Sequence, residues 1–417
     1  MSSLSDLDDD CQSAVKVPNP PSPLSGLLSL PYFVKCDAKA GVNGENSDKS
    51  DIYLDSVGLI RKYNYPAEVH PVTTDDGYLL NLFRIPGQGP SILLVHGIGD
   101  SSDSWLVLGP ESSLAFLLAN AGFDVWLFNA RGNRYSKTNI NMLSTKRFWN
   151  FSFEEMGTHD LPATIDYILN KTFRPKLTYI GYSQGTTTFL IMCSSKPEYN
   201  EKINHALLLA PVTWLTYTKY PLMKFWAQIV NKLMNFSESA KVYEVFSFNK
   251  KIRDYHATVC DTKSVYNFLC YAEYYSGFGL KNLIDLIPGR LPIIASHIPA
   301  GTSAKTFFHF IQIYASKRFQ RYDYGFERNK EMYSSVKPPE YNVSMISVPI
   351  TLFVSEVDWF GDTEDVNTLK SKLNSIEQVV VISKSAEFSH LEFVYGSRVN
   401  NYINEPVINI LKAVSLR

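Results

Sequence analysis

The sequence lacks an excess of charge of either sign. Its 417 residues include 40 basic and 41 acidic side chains, and the formal net charge is −1. Net charge therefore gives the chain no general attraction to the phosphates of nucleic acids or anionic membranes. It also lacks an apolar run of the roughly 20 residues that cross a bilayer. Because 45% of the residues are hydrophobic, we expect a soluble globular protein with a full core.

Cysteine is scarce as well. Five residues, at positions 11, 36, 193, 260 and 270, are too few for a disulfide scaffold, although Cys260 and Cys270 are close enough in sequence for one bridge. Glycosylation sequons occur at Asn150, Asn170, Asn235 and Asn342; they suit a secreted chain but also arise by chance. The first ten residues are acidic and serine-rich, without the basic start of a secretory signal. Composition therefore leaves the compartment open.

Residues 1–50 have little with which to form a core. A proline-rich stretch (residues 18–23) precedes a polar stretch rich in glycine, asparagine, serine and aspartate (residues 41–51). Both compositions oppose core formation, so we predict a disordered or processed N-terminal extension, with the folded part beginning near residue 51.

From residue 51 to 211, predicted strands alternate with predicted helices. Residues 72–84 are typical of a β-hairpin with its turn at Asp76-Gly77. Further strands are predicted at 91–95, 123–128, 177–180 and 205–210, with helices at 114–121, 153–170 and 186–194. The alternation resumes with strands at 348–354 and 378–382 and helices at 362–373 and 407–414. This pattern predicts a mostly parallel sheet covered on both faces.

Residues 212–339 interrupt the alternation and concentrate aromatic side chains, such as Trp214, Phe225, Trp226, Phe246 and Phe307. We predict a mostly helical insertion above the strand ends. Most of its rings are then additional core, and the remainder cover an apolar substrate. The chain thus divides into a first core segment (51–211), the insertion (212–339) and a second core segment (340–417).

The segment Gly181-Tyr182-Ser183-Gln184-Gly185 joins a short apolar strand to an apolar helix. A nucleophile elbow requires this context, because its serine sits in a strained turn between small residues. Ser183 is therefore the candidate nucleophile, with the backbone N–H of Gln184 as a candidate oxyanion donor. Two glycines and a serine at this spacing also arise by chance, so the downstream chain must supply a base and an acid.

A second turn, His96-Gly97-Ile98-Gly99, follows the predicted strand at 91–95. A turn of this kind upstream of a serine elbow usually carries the second oxyanion donor, and we assign this role to the N–H of Ile98. The alternative is that His96-Gly97 only closes a tight turn.

A serine hydroxyl needs a histidine to accept its proton, and that histidine needs an acid to orient it. Asp358 follows the predicted strand at 348–354, and His390 follows the strand at 378–382, so both fall after successive strands. The competing acids are Glu356, Asp362 and Asp365, of which the last two are expected at solvated helix positions. The competing base is His297 in the insertion.

Many short segments, in order, resemble the acid lipase family of the α/β-hydrolases, which includes gastric and lysosomal acid lipases and their insect relatives. The similarity extends from about residue 54 to 413. The segments are Thr74–Tyr78, His96–Ile98 with Trp105, Ala130–Asn133 with Tyr135-Ser136, Phe148-Trp149 with Phe151–Gly157, Asp160–Ala163, Ser183–Thr186, His297–Ser303, and Asp358, Asp362 and Asp365-Val366.

The resemblance implies an α/β-hydrolase fold with a mostly helical cap, no metal and no other cofactor. It implies hydrolysis of neutral lipid esters, acylglycerols or sterol esters, at a lipid–water interface. Ser183, Asp358 and His390 would be the triad, with Ile98 and Gln184 as oxyanion donors. It also implies a secreted or lysosomal address. The rival hypotheses are an esterase on small soluble esters and a non-catalytic lipid-binding member.

The chain departs from the family pattern at three positions. Tyr182 stands where the elbow usually has histidine, and Glu392 stands where the motif after the catalytic histidine usually has aspartate. His159 replaces an aromatic residue, and we assign it no role. Neither Tyr182 nor Glu392 is a triad residue, so we expect activity to be kept and substrate preference to change.

Overall fold

A nine-stranded, mostly parallel sheet is the centre of this computed structural model, which describes residues 49–278 and 289–415. The expected N-terminal extension lies outside the described residues except for Lys49 and Ser50, which begin the 3₁₀ turn Lys49–Tyr53.

The strands of this sheet are β1 (Glu68–Thr73), β2 (Tyr78–Ile85), β3 (Ser91–Val95), β4 (Asp124–Leu127), β5 (Thr138–Asn139), β6 (Leu177–Tyr182), β7 (Ile203–Leu209), β10 (Ile350–Ser355) and β11 (Ile376–Ile382). A separate two-stranded ladder pairs β8 (Glu244–Val245) with β9 (Thr302–Ser303). The main order is β1-β2-β4-β3-β6-β7-β10-β11, with β5 beside β2.

The sheet is antiparallel at one edge and parallel elsewhere. β1 and β2 form the expected hairpin, and β2 also pairs antiparallel with β4. From β4 through β11 every neighbouring pair is parallel. In a parallel sheet the carboxyl ends of all strands lie at one edge, so the turns after β3, β6, β10 and β11 meet there.

The core helices are α1 (Ser56–Lys62), α2 (Leu114–Asn120), α3 (Thr145–Phe148), α4 (Phe153–Glu155), α5 (Leu161–Thr172), α6 (Gln184–Ser195), α13 (Thr363–Lys372), α14 (Glu392–Tyr395) and α15 (Glu405–Ser415). The helix expected over residues 153–170 is interrupted by a π-helical turn, Met156–Asp160. Within this turn, Gly157 approaches α6 so closely that an added Cβ would lie 2.9 Å from the Thr188 carbonyl oxygen.

Apolar side chains cover the sheet on both faces. Alternate residues of β3 show the division: Leu93 and Val95 belong to one buried cluster, and Ile92 and Leu94 to the other. The strands β3, β4, β6 and β10 are buried along their whole length, as in a sheet with helices on both sides.

The described part of the segment between β7 and β10 is mostly helical, as expected, apart from the ladder of β8 and β9. Its helices are α7 (Met223–Ala240), α8 (Lys250–Val259), α9 (Asn267–Phe278), α10 (Leu291–His297), α11 (Ala304–Ser316) and α12 (Phe326–Tyr333). A disulfide joins Cys260, at the end of α8, to Cys270 in α9. Within the described residues, no helix has both the length and the apolar character needed to cross a membrane.

Candidate active site

Ser183 lies in a sharp turn between β6 and α6. Its backbone has a φ of 52° and a ψ of −117°, in a region that residues with a Cβ rarely adopt. The flanking glycines permit close backbone approach: an added Cβ on Gly181 would lie 2.7 Å from the Gly185 carbonyl oxygen, and one on Gly185 would lie 2.5 Å from that of Val95. The turn therefore has the strained geometry and small neighbours of a nucleophile elbow.

The structure brings Ser183, His390 and Asp358 together in one hydrogen-bonded series. His390 Nε2 lies 2.8 Å from Ser183 Oγ, and its Nδ1 lies 2.8 Å from Asp358 Oδ2. The three side chains come from the turns after β6, β11 and β10. All three are buried, with 7% of Ser183 exposed and less of the other two. An imidazole in this position can accept the serine proton at Nε2 while Nδ1–H donates to the carboxylate.

Asp358 is held as a carboxylate. Burial alone opposes its ionisation, but the charge of His390 and the hydrogen bond from it lower the pKa of Asp358 below its usual value. The backbone N–H groups of Phe360 and Gly361 also donate to Asp358 Oδ1, at 2.8 and 3.1 Å. The acid therefore stays charged and fixed in orientation beside the imidazole.

The competing residues have other partners. His297 is buried, with Nδ1 2.9 Å from Asp103 Oδ2 and Nε2 2.9 Å from the Asp51 carbonyl oxygen. Both of its ring nitrogens are thus engaged within a buried ion-pair network. Glu356 accepts from the backbone N–H of Lys384 and is exposed.

The expectation that Asp362 and Asp365 are solvated is wrong, because both are buried. Asp362 caps the first turn of α13 by accepting from the N–H of Glu364, at 2.9 Å. Asp365 accepts from the N–H groups of Thr216 and Tyr217, at 3.1 and 3.0 Å, and so attaches the start of the insertion to α13. Helical periodicity did not reveal these roles, because Asp362 is a cap that precedes the helix and the donors to Asp365 come from a distant segment.

The turn after β3, here called the oxyanion turn (residues 96–100), lies directly beside Ser183. A Cβ on Gly97 would lie 3.4 Å from Ser183 Cβ. Gln184 is the first residue of α6, so its backbone N–H is among those that a helix leaves without an intrahelical acceptor. These placements suit the N–H groups assigned to oxyanion binding at Ile98 and Gln184.

His96 holds the oxyanion turn as a neutral imidazole. Its Nε2 accepts from the N–H of Ala130 at 3.2 Å, so its Nδ1 carries the proton and donates to the Gly97 carbonyl oxygen at 2.8 Å. Burial lowers the pKa of His96 to about 4, which favours this neutral form. His96 therefore fixes the shape of the turn that carries Ile98.

Two of the three departures from the expected pattern, Tyr182 and Glu392, contact the loop that carries His390. The Tyr182 hydroxyl donates to the His390 carbonyl oxygen at 3.0 Å. Glu392 is buried; it accepts from the N–H of Ser389 at 2.6 Å and pairs with Arg398 at 2.9 Å. Both side chains thus replace the family residues with groups that are bonded into this loop.

Asp100 and Tyr395 were not identified from the amino-acid pattern. The Tyr395 hydroxyl donates to Asp100 Oδ2 at 2.6 Å, and the bond joins the oxyanion turn to α14, directly after His390. The Ser101 N–H donates to Asp100 Oδ1 at 2.7 Å. An aspartate next to a glycine turn was a usable signal, but its partner lies 295 residues away in the chain.

Rings from the insertion and from the loop after Asp358 adjoin the site. Phe360 lies edge-on to His390, with ring centroids 5.1 Å apart, and Tyr220 lies 5.2 Å from Phe360. On the other side, a Cβ on Gly99 would lie 3.2 Å from Phe246 Cβ. Apolar rings thus flank both His390 and the oxyanion turn.

The remaining predicted site residues lie away from the triad. The four sequon asparagines, Asn150, Asn170, Asn235 and Asn342, are all exposed. Nδ1 of His159, which received no role, lies 2.6 Å from Asp75 Oδ1 at the surface.

Comparison with known proteins gives two matching family models. One is described as a partial alpha/beta-hydrolase lipase region and matches residues 57–109; the other is described as the alpha/beta hydrolase fold and matches residues 90–240.

Full-length relatives extend the similarity. The chain is 37% identical over 369 residues to Lipase 1 of Drosophila melanogaster, covering 88% of this chain and 81% of that protein. It is 35% identical over 367 residues to the gastric triacylglycerol lipase of Homo sapiens, covering 85% of this chain and 89% of that protein. It is also 35% identical to Lipase lipl-1 of Caenorhabditis elegans, covering 89% and 95%. The chain therefore belongs to the acid lipase family of the α/β-hydrolases and is a lipase-type ester hydrolase.

Proposed function

We propose that the protein cleaves neutral lipid esters, acylglycerols or sterol esters, through an acyl-enzyme on Ser183. The observation that carries this proposal is the series Ser183 Oγ–His390 Nε2 and His390 Nδ1–Asp358 Oδ2, with 2.8 Å at each step. The strained backbone of Ser183 supports the proposal, because residues in such unfavourable backbone conformations cluster at active sites.

In the first half-reaction, Ser183 Oγ attacks the ester carbonyl carbon while His390 Nε2 takes the hydroxyl proton. The carboxylate of Asp358 stabilises the imidazolium that forms. The N–H groups of Ile98 and Gln184 donate to the developing oxyanion. His390 then gives its proton to the leaving alkoxide, which departs as an alcohol and leaves the acyl group on Ser183.

In the second half-reaction, water attacks the acyl carbonyl and gives a proton to His390 Nε2. Collapse of the tetrahedral intermediate releases the carboxylic acid, and the proton on His390 returns to Ser183 Oγ. The protein side chains thus end in their starting protonation states, and the reaction consumes one ester and one water.

The substrate class is supported by the surroundings of the triad. Phe360 and Tyr220 lie on the side of His390, and Phe246 lies beside the oxyanion turn. Apolar rings around a buried serine favour an acyl chain over a polar ester, because burial of each methylene is worth roughly 0.8 kcal/mol.

A fluorophosphonate probe and an ester panel test the proposal together. The probe should label Ser183 in the native protein, and Ser183→Ala should abolish both labelling and hydrolysis. Emulsified triacylglycerol and sterol ester should be hydrolysed with kcat/KM well above that for nitrophenyl acetate. Labelling with preference for the acetate would favour the small-ester esterase, and no labelling would favour a non-catalytic lipid binder.

We also propose a secreted or lysosomal location. The Cys260–Cys270 disulfide and four exposed sequon asparagines suit an oxidising compartment with glycosylation. Treatment of the protein from its native tissue with a peptide N-glycosidase should lower its apparent mass. An unchanged mass together with two free thiols at Cys260 and Cys270 would contradict this location.

A further inference from the structure

Asp100 is a buried acid at the end of the oxyanion turn that the triad does not use. Only 5% of its surface is exposed. Burial of a carboxyl group is costly unless hydrogen bonds satisfy it. Both oxygens have donors: Oδ2 accepts from the Tyr395 hydroxyl at 2.6 Å, and Oδ1 accepts from the Ser101 N–H at 2.7 Å.

The hydrogen bond between Asp100 and Tyr395 joins the oxyanion turn to the segment that follows His390. Asp100 lies two residues after Ile98, which supplies one of the assigned oxyanion N–H groups. Tyr395 lies in α14, five residues after His390. The Tyr182 hydroxyl donates to the His390 carbonyl oxygen at 3.0 Å, so a second tyrosine joins the elbow to the same loop.

The oxyanion turn is also held from its other side. The Ala300 N–H donates to the Gly99 carbonyl oxygen at 2.6 Å, and the side-chain amide of Asn133 lies 3.4 Å from the Asp100 carbonyl oxygen. The turn therefore has one contact with the insertion, through Ala300, and one with the core loop that carries Asn133, and Tyr395 supplies the contact toward the histidine loop.

We propose that Asp100 and Tyr395 are positioning residues whose hydrogen bond fixes the distance between the oxyanion donors and the His390 imidazole. The inference rests on the proposed acyl-enzyme reaction. That reaction needs the donors and the base to act on one ester group at the same time, and a misplacement of about 1 Å can cost roughly 100-fold in rate.

A merely structural tyrosine–aspartate bond provides a matched control. The Tyr199 hydroxyl donates to Asp166 Oδ2 at 2.9 Å, and Tyr199 is also buried. Tyr199→Phe and Tyr395→Phe remove the same hydroxyl from the same type of bond. Only the second bond connects the oxyanion turn to the histidine loop.

The experiment measures kcat and KM on a soluble ester, at a temperature well below Tm, with active sites counted by a fluorophosphonate. Tyr395→Phe should lower kcat by about 10-fold with KM within about twofold, and Tyr199→Phe should leave both within about twofold. If Tyr395→Phe keeps kcat at the level of Tyr199→Phe, the positioning role is wrong.

Substitutions of Asp100 give an independent measurement. Asp100→Asn keeps a side chain that can bond with the Tyr395 hydroxyl, whereas Asp100→Ala removes the connection. We expect kcat per active site to fall by about 100-fold in Asp100→Ala and to be largely restored in Asp100→Asn. Equal kcat values in the alanine variant and the native enzyme would overturn the inference.

The design separates this inference from the proposed function. If the probe labels Ser183 in the native protein and the Tyr395→Phe and Asp100→Ala variants are fully active, only the positioning role fails. If the probe does not label Ser183 in the native protein, the acyl-enzyme proposal fails, and the positioning role fails with it.

Discussion

The core segments and the insertion contact the same site in different ways. Ser183, Asp358 and His390 come from three turns at the carboxyl ends of core strands, and each step of the series is a hydrogen bond of 2.8 Å. The insertion contacts the oxyanion turn through the Ala300 N–H and through the ring of Phe246, which is 45% exposed.

This difference separates the requirements of chemistry from those of selectivity. Proton transfer and oxyanion binding depend on short, directional contacts, so small displacements in the core are expensive. Apolar contacts to an acyl chain are not directional, and their energy follows the buried area. We therefore expect substitutions of the core residues in the hydrogen-bonded series to abolish turnover, and substitutions of insertion residues beside the site to change which esters are preferred.

The two histidines that competed for the role of base give the sharpest test, with the largest expected effect. His390→Ala should lower kcat by a factor of about 10⁴ to 10⁶, because the base is lost. His297→Ala should lower Tm, since it leaves Asp103 without one buried partner, yet retain kcat per folded active site.

Fluorophosphonate titration of the soluble fraction supplies the active-site count for His297→Ala. His390→Ala lacks the group that activates Ser183, so its folded fraction is measured by circular dichroism and thermal unfolding instead. The Asp103 network also contains Arg134, so the carboxylate keeps a cationic partner at 2.9 Å when His297 is removed. Loss of turnover in correctly folded His297→Ala, with turnover kept in His390→Ala, would exchange the roles of the two residues.

A substitution at Gly185 tests how closely the backbone of the elbow must approach the backbone at the end of β3. In Gly185→Ala the added methyl would lie 2.5 Å from the Val95 carbonyl oxygen, which is backbone and cannot move aside cheaply. We expect destabilisation of about 1–3 kcal/mol or more, together with loss of activity. Urea denaturation and kcat/KM measure the two effects.

Gly58→Ala is the matched control for this substitution. At Gly58 in α1 the added methyl would meet only side-chain atoms, of Asp55 and Leu54, at 3.2 Å. Its stability should change by less than about 1 kcal/mol. Equal stability of the two alanine variants would show that the elbow tolerates a Cβ at Gly185.

The sequence predicted the parts of this structure that are local. The alternation of strands and helices predicted the parallel sheet, and the glycines beside Ser183 predicted the sharp turn, because both depend on short-range patterns. The core strands β3, β6, β10 and β11 lie within a few residues of their predicted ranges. The order of strands and helices also predicted an insertion, since the pattern changes after Pro211, and its limits at 212 and 339 stay a prediction.

Contacts between distant segments could not be read from the sequence. The burial of Asp365 depends on N–H groups of Thr216 and Tyr217, and the burial of Asp100 depends on Tyr395. An acid on a helix or after a turn has the same local pattern whether it faces water or a buried donor. The π-helical turn at Met156–Asp160 was also missed; within it, Gly157 lies close to α6, a contact that the local pattern does not contain.

The pH dependence of stability tests the buried acid at the boundary of the two regions. Burial, opposed by the bonds from Tyr395 and Ser101, raises the pKa of Asp100 from its ordinary 3.8 to about 7. Between these values the folded protein holds a proton that the unfolded chain releases. The contribution of Asp100 to the free energy of unfolding is therefore complete below about pH 4. It is lost as the pH rises through 7, by up to about 1.4 kcal/mol per pH unit.

The groups that act on Asp100 are Tyr395 of α14, Tyr182 of β6, Tyr274 of α9, Asp103 and His297. The three tyrosines stay neutral in this range because burial raises their pKa values. Tm should fall between pH 5 and pH 8, and Asp100→Asn should make this fall shallower. An identical pH slope in Asp100→Asn would contradict a proton on Asp100.

The smallest expected effect concerns the insertion as the cover of the acyl chain. Phe246 lies beside the oxyanion turn at Gly99. The ring of Phe307, also in the insertion, packs against Phe246 with the two ring centroids 6.0 Å apart. Since each buried methylene contributes roughly 0.8 kcal/mol, kcat/KM should rise with acyl length if that binding is realised in the transition state.

Phe246→Ala should flatten the rise by several-fold at the longest chain and leave acetate hydrolysis nearly unchanged. Phe236→Ala, which removes a ring of α7 that is 65% exposed, is the control and should keep the native slope. The measurement is kcat/KM against acyl length for soluble nitrophenyl esters below the critical micelle concentration. A flat series in the native enzyme would contradict the covering role of the insertion and favour an esterase on small esters, while the triad in the core would be unaffected.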